Sequence, residues 1–184
     1  MPELPDRLPS LEEKPALGFV AEASLLRGGR GNLPAKKPSL LAIDLGLVAG
    51  FACFDLGGAP RLRWYRSQHF GNMTRLKAAI PRILDDAAPL ATVVVEGDRH
   101  LGDLWARLAE KRGAVVHRVR PEDWRQALLL PREQRHGEDA KAAAFGVAND
   151  VIASSGAPRP KTPLSDDTAE AICIGLYGLT LRPR

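Results

Sequence analysis

The sequence predicts an α/β fold: a mixed five-stranded sheet, three antiparallel strands followed by two parallel ones, flanked by helices. Three observations carry this expectation. Residues 39 to 70 contain three successive strand-like segments joined by short turns, which suggests an antiparallel meander. Beyond them, helical and strand-like spacing alternate, the pattern of a sheet covered by helices. The run Ala91-Thr92-Val93-Val94-Val95-Glu96 is continuously apolar up to its last residue, as expected of a strand buried on both faces.

In chain order, the first 38 residues hold Pro2, Pro5, Pro9, Pro15, Pro34 and Pro38 with the Gly28-Gly29-Arg30-Gly31 cluster. That density of breakers forbids long regular structure, and an arm or linker is expected over residues 1 to 38, with the domain over 39 to 184. Residues 39 to 46 and 48 to 55 read as two strands about a glycine-bearing turn, and Leu62 to Phe70 as a third with alternating basic residues. Met73 to Ala87 has helical spacing, with Pro81 as a kink or break. Residues 91 to 96 form the fourth strand, Leu101 to Arg112 a helix stopped by Gly113, and Ala114 to Val119 the fifth strand. Pro121 opens a short helix at its favoured first-turn position, and residues 138 to 155 and 166 to 180 are the closing helices.

At 184 residues and 45% hydrophobic content, the chain has room for one full domain with a buried core. No apolar run approaches the roughly 18 residues of a membrane span, and the N-terminus lacks the basic-then-apolar order of a secretory signal, so a cytoplasmic protein is expected. Cys53 and Cys173 lie among apolar neighbours, which favours reduced, buried thiols. The net charge is +4, but basic residues cluster: Arg61, Arg63, Arg66, Arg75, Lys77 and Arg82 occur without an acid among them, and a second basic stretch runs from Arg99 to Arg135. A positive surface around a small negative site suits a polyphosphate backbone. Arg61, Arg63, Arg66 and Arg99 are the candidate nucleic-acid contacts.

Four acids stand out. Asp44 sits in the apolar run Leu40-Leu41-Ala42-Ile43-Asp44-Leu45-Gly46, and Glu96 ends its own apolar strand. Charged groups seldom occupy such places without a partner, and a cation is one such partner. Asp167 and Glu170 are three residues apart, Asp166 and Glu170 four, so a helix lets either aspartate share a face with Glu170. Ser165 is a credible N-cap, and first-turn acids also suit the helix dipole. Oxygen ligands without a Cys or His cluster suit Mg²⁺ or Mn²⁺.

The order of these pieces resembles the RuvC-type Holliday junction resolvases of the ribonuclease H-like superfamily, especially prophage-type members. Ala42-Ile43-Asp44-Leu45-Gly46-Leu47-Val48-Ala49-Gly50 resembles the family's first strand and turn, Val94-Val95-Glu96 its fourth strand, and Asp167-Thr168-Ala169-Glu170-Ala171-Ile172 the segment opening its last helix. Val119-Arg120-Pro121-Glu122-Asp123-Trp124-Arg125 and Lys141 also look like this group. The resemblance implies a ribonuclease H-like fold and a homodimeric endonuclease that cuts four-way DNA junctions, leaving 5′-phosphate and 3′-hydroxyl ends. It favours Asp167 over Asp166 as ligand. Asp44 would bridge two ions about 4 Å apart, with Glu96 and Asp167 or Glu170 completing the shells; such a pair activates a water and stabilises the departing oxygen. Lys141 would neutralise charge near the scissile phosphate.

Three positions differ from the family's pattern. Leu45 replaces a proline, Glu170 replaces an aspartate, and Gly97-Asp98-Arg99-His100 lacks the aromatic that often follows the fourth-strand glutamate. Trp64, Trp105 and Trp124 could stack on bases, although core packing is the expected role for most of them. The alternatives are a ribonuclease H-like RNA-processing nuclease and a noncatalytic nucleic-acid-binding module. An actin-type nucleotide-binding domain also carries Asp-x-Gly in its first strand, but needs a second such half.

Overall fold

The computed structural model describes residues 37 to 181; apart from Lys37 and Pro38, the arm expected over residues 1 to 38 lies outside the described residues, as do the last three residues. The described elements are β1 (Ser39–Leu45), β2 (Val48–Asp55), β3 (Arg61–His69), α1 (Met73–Asp86), β4 (Leu90–Gly97), α2 (Arg99–Glu110), β5 (Val115–Arg118), α3 (Pro121–Leu128), α4 (Gly137–Ser155) and α5 (Asp166–Gly178), with a short 3-10 turn at Pro131–Gln134. The strands form one sheet in the order β3-β2-β1-β4-β5. β1, β2 and β3 pair antiparallel, while β1-β4 and β4-β5 pair parallel. The expected mixed sheet of three antiparallel and two parallel strands is the one that forms.

Strand alternation divides the core into two layers. Leu41, Ile43, Phe51, Cys53, Val93 and Val95 face one side and pack with Leu76, Ile80, Ile83 and Leu84 of α1 and Trp105 of α2. Leu40, Ala42, Ala52, Phe54 and Val94 face the other, against Trp124 of α3, Ala144 and Ala148 of α4, and Ala169, Ile172 and Cys173 of α5. The central strands are apolar on both faces because helices cover both. α5 is buried nearly all round, from Thr168 to Gly178, since it lies between β1, β2 and α4.

Three local expectations change. Of the kink or break expected at Pro81, the break does not occur and α1 continues through the proline; buried Ile80, Ile83 and Leu84 hold both sides of it against the sheet, so packing overrides the lost backbone bond. α2 begins at Arg99 rather than Leu101, because the Asp98 side chain accepts a 2.9 Å bond from the Leu101 N–H and caps the helix. Arg99 and His100, expected in a loop, are therefore its first turn. β3 does not alternate simply: Cys53 pairs with Trp64 and Phe54 with Leu62, so Arg63 is the extra residue of a bulge. That bulge turns Leu62 and Tyr65 to one core and Trp64 toward the other.

Both cysteines are buried and free, Cys53 in one core and Cys173 in the other. Burial pushes the Cys53 thiol up to about 11 and the Cys173 thiol up to about 12. Neither forms thiolate near neutrality, so a chromogenic disulfide reagent at pH 8 should leave the native protein unmodified and label both thiols only after denaturation.

Candidate active site

β1 and β4 are parallel neighbours in a register that sets Asp44 opposite Glu96. Their side chains share a face by alternation: Leu40 and Ala42 in β1, and Val94 in β4, all point to the α5 side, and Asp44 and Glu96 follow in the same phase. On the other flank of β1, Asp44 pairs with Gly50 of β2. A Cβ at Gly50 would overlap the carbonyl oxygen of Asp167 and stand 2.8 Å from the Thr168 nitrogen. Glycine here lets the first turn of α5 rest on the sheet beside Asp44. Gly97, directly after Glu96, has φ +115, and a Cβ there would stand 2.9 Å from the Leu45 Cβ and carbonyl oxygen. A glycine thus turns the chain out of β4 without disturbing the pair.

α5 starts as expected, with the Ser165 hydroxyl accepting from the Thr168 N–H at 3.3 Å. Asp166 turns outward and pairs with Lys141 of α4 at 3.1 Å. Asp167 and Glu170 are partly buried and, unlike Asp166, act on the charge of Asp44. α3 supplies two further groups. The buried Trp124 indole N–H donates 2.6 Å to one carboxylate oxygen of Glu96. Arg125 lies 3.4 Å from Glu170, with its guanidinium carbon 5.2 Å from the centre of the Trp124 ring.

The electrostatics of this place are those of crowded acids. Burial, then Glu96, Glu170 and Asp167 in turn, push Asp44 up to about 8, against a smaller opposite effect from Lys141. Burial also raises Glu96, offset by the Trp124 hydrogen bond, and raises Glu170, offset by Arg125. Asp167 is raised by burial and then by Asp166. Protons or a cation must neutralise this set. The donors are all carboxylate oxygens, which fits a hard divalent cation that keeps several waters and takes phosphate oxygens as further ligands. Among the described residues, no three His, Cys, Asp or Glu side chains stand close enough together, as placed, to hold a metal ion by themselves.

The candidate arginines lie elsewhere. Arg61 donates to the Ser155 carbonyl at 2.6 Å, and Arg63 pairs with Asp55 and donates to the Lys37 carbonyl. Both belong to the end of the sheet where Asp55 meets Ser39, about 17 Å along the strands from Asp44 at ~3.4 Å per residue. Arg66 pairs with Asp86 at 2.9 Å and lies over Trp64. Arg99, by contrast, is exposed at the start of α2, just beyond Glu96 and Gly97. Trp105 and Trp124 are fully buried, the core role expected for most of the tryptophans.

Sequence reasoning passed over Gly50, and also Arg125 and the Trp124 indole as partners of acids. Gly50 carries a signal in hindsight, being a glycine inside an otherwise apolar strand, a mark of close backbone approach. Trp124 and Arg125 lie in a stretch that looks like the resembled family, but nothing in it marks them as partners of acids, since a contact between residues 28 or 45 positions apart has no local pattern.

The sequence matches no protein-family model and no curated protein. Solved structures are similar to it. The fowlpox virus resolvase in complex with substrate Holliday junction DNA superposes with a TM-score of 0.50 at 13% identity, covering 76% of this chain and 97% of that one. The fold is ribonuclease H-like. The yeast mitochondrial Holliday junction resolvase gives a TM-score of 0.49 at 14% identity, covering 78% and 81%. At 13% identity the likeness to the fowlpox resolvase is one of fold. Among the described residues, no helix is long and apolar enough to cross a membrane.

Proposed function

We propose that this chain is a metal-dependent, structure-selective DNA endonuclease that resolves four-way junctions by paired phosphodiester hydrolysis. One observation carries the proposal: Asp44, Glu96, Asp167 and Glu170, from two strands and a helix, gather where burial and mutual repulsion push Asp44 up to about 8. Strongly perturbed acids converging from separate elements are characteristic of functional sites. The ribonuclease H-like fold supports the reading, and the fowlpox resolvase of the same fold is described with Holliday junction DNA as its substrate.

Asp44, Glu96, Asp167 and Glu170 would hold Mg²⁺ or Mn²⁺, two ions per site. When bound, such ions supply an activated water and stabilise the departing oxygen. The chain's own groups do the rest. Asp44 stands at the centre of the acids, so its carboxylate is the one most dependent on a cation for its charge. Lys141, half exposed and held by Asp166, would turn from that pair to the phosphate and neutralise charge that develops on it. Arg125 balances Glu170, and the apolar floor of Ala42, Ala52 and Val94 keeps water from the sheet side. Cutting both strands of a symmetric junction calls for two sites, hence a homodimer.

The test is cleavage of a synthetic four-way junction with Mg²⁺ or Mn²⁺, beside linear duplex and RNA of the same sequence. Paired nicks near the crossover, dependent on metal, are the expected result. Cutting of RNA alone would replace this reading with an RNA-processing nuclease, and binding without cutting by any divalent ion would replace it with a noncatalytic module. On the DNA side, Arg99→Gln should weaken junction binding and reduce the slope of log affinity against log salt by about 1, the effect of one lost phosphate contact. Replacing Arg61, Arg63 and Arg66 together tests the distal face in the same titration; an unchanged slope removes that face from the footprint.

A further inference from the structure

Glu96 is 8% exposed, and its one hydrogen-bonding side-chain partner among the described residues is a tryptophan. The Trp124 ring is fully buried, and its N–H donates to Glu96 across 2.6 Å. The indole is well fixed. Pro121 opens α3, Asp123 accepts the backbone N–H of Arg120 at 2.8 Å, and the ring packs in the core with Val94, Ala144 and Ala169. An indole N–H can only donate, so it selects the carboxylate oxygen it faces and leaves the other free. Trp105, fully buried in the other core, has an N–H without a hydrogen-bond partner among the described residues, so burial of an indole in this protein does not by itself bring it a carboxylate.

We propose that Trp124 is a positioning residue that makes Glu96 a one-oxygen ligand and thereby favours Mg²⁺ over larger cations. The inference rests on the metal-site reading above. With one oxygen held by the indole and the carboxylate plane fixed by that bond, Glu96 presents its other oxygen, both lone pairs open, in a fixed direction, which suits the near-ideal octahedral geometry that Mg²⁺ demands. Ca²⁺ accepts a carboxylate through both oxygens and in flexible geometry, so it gains little from this restraint. Removing the N–H frees the second oxygen and lets the carboxylate rotate. Outer partners of metal-ligating groups commonly contribute 10- to 100-fold in metal affinity.

The experiment is calorimetric titration of the full-length, metal-free protein with Mg²⁺ and, separately, Ca²⁺. It compares wild type with Trp124→Phe, which keeps an aromatic ring and lacks the N–H. Because a smaller ring in the core can loosen the fold, a second variant carries benzothienylalanine at position 124, which has the shape of tryptophan with sulfur in place of N–H. Both variants should bind Mg²⁺ roughly 10- to 100-fold more weakly, with Ca²⁺ affinity essentially unchanged, so that the Mg²⁺ to Ca²⁺ ratio falls. An unchanged ratio in the benzothienylalanine protein overturns the inference while leaving the metal site standing. A parallel loss for both ions also overturns it, since general loosening would do the same. Wild-type protein that binds neither ion, or binds them equally well after Asp44→Asn, overturns the metal-site reading itself.

Discussion

Asp44→Asn is expected to slow junction cleavage on the order of a thousandfold or more, since in the proposed function it removes a central metal ligand and with it several kcal/mol of transition-state stabilisation at about 1.4 kcal/mol per factor of ten. Junction binding should survive, because the substitution leaves the basic surface unaltered. The same change should stabilise the metal-free protein at alkaline pH. Asp44 ordinarily titrates near 3.8 and is pushed up to about 8 by burial and by its acidic neighbours. Between those values the unfolded chain has released the proton that the folded chain still holds. Stability contributed by Asp44 is therefore fully present below pH 3.8 and falls as pH rises through about 8. In a chelator, wild-type melting temperature should decline across that window, and Asp44→Asn should flatten the decline; Mg²⁺ should restore the wild type at high pH and do little for the variant. Parallel declines for the two proteins would show that Asp44 is not the group responsible. Cleavage by Asp44→Asn at the wild-type rate would move the chemistry away from this site.

Gly50→Ala should be nearly as damaging to cleavage, without touching a charged group. The added Cβ would overlap the Asp167 carbonyl and press on the Thr168 nitrogen, atoms of a helix start that Ser165 caps and the sheet supports. α5 must shift, and Asp167 and Glu170 move with it relative to Asp44 and Glu96. Overpacking of this kind costs about 1–3 kcal/mol, or roughly 2–10 °C in melting temperature for a domain of this size. The control is Gly178→Ala, at the far end of the same helix, where the Cβ would stand 2.7 Å from the Val94 side chain. Both variants should melt lower, yet cleavage at a temperature where both are folded should fall sharply for Gly50→Ala alone. Equal losses of activity would mean that α5 contributes stability and no precise placement.

Much of this arrangement is legible in the sequence for a plain reason. Long apolar runs such as 91 to 96 and tight spacing such as 39 to 55 are local signals, and they place Asp44 and Glu96 at strand ends. Ser165 followed by Asp166, Asp167 and Glu170 is equally local, a helix start with acids on one side. Where local reading went astray, packing had overridden it. Pro81 does not break its helix because buried neighbours hold both sides, and the alternation expected over Leu62 to Phe70 is interrupted by a bulge at Arg63 that no composition announces. The same bulge and the Asp55 pair draw Arg63 into the distal edge of the sheet, away from the acids.

The sequence by itself determined the strand and helix order, the acids that end or open those elements, and the absence of a soft-ligand cluster around them. Only the tertiary structure decided which face of the sheet the acids share. A strand that is apolar on both sides carries no mark of inside and outside, so the common face of Asp44, Gly50 and Glu96 appears only when α5 and α4 cover one side and α1 and α2 the other. The separate roles of Asp166 and Asp167, one on Lys141 and the other toward Asp44, follow from where α5 docks, and helical spacing alone left both open. The Trp124 to Glu96 bond is decided in the same way, because it joins residues whose proximity exists only after β4 and α3 have packed together.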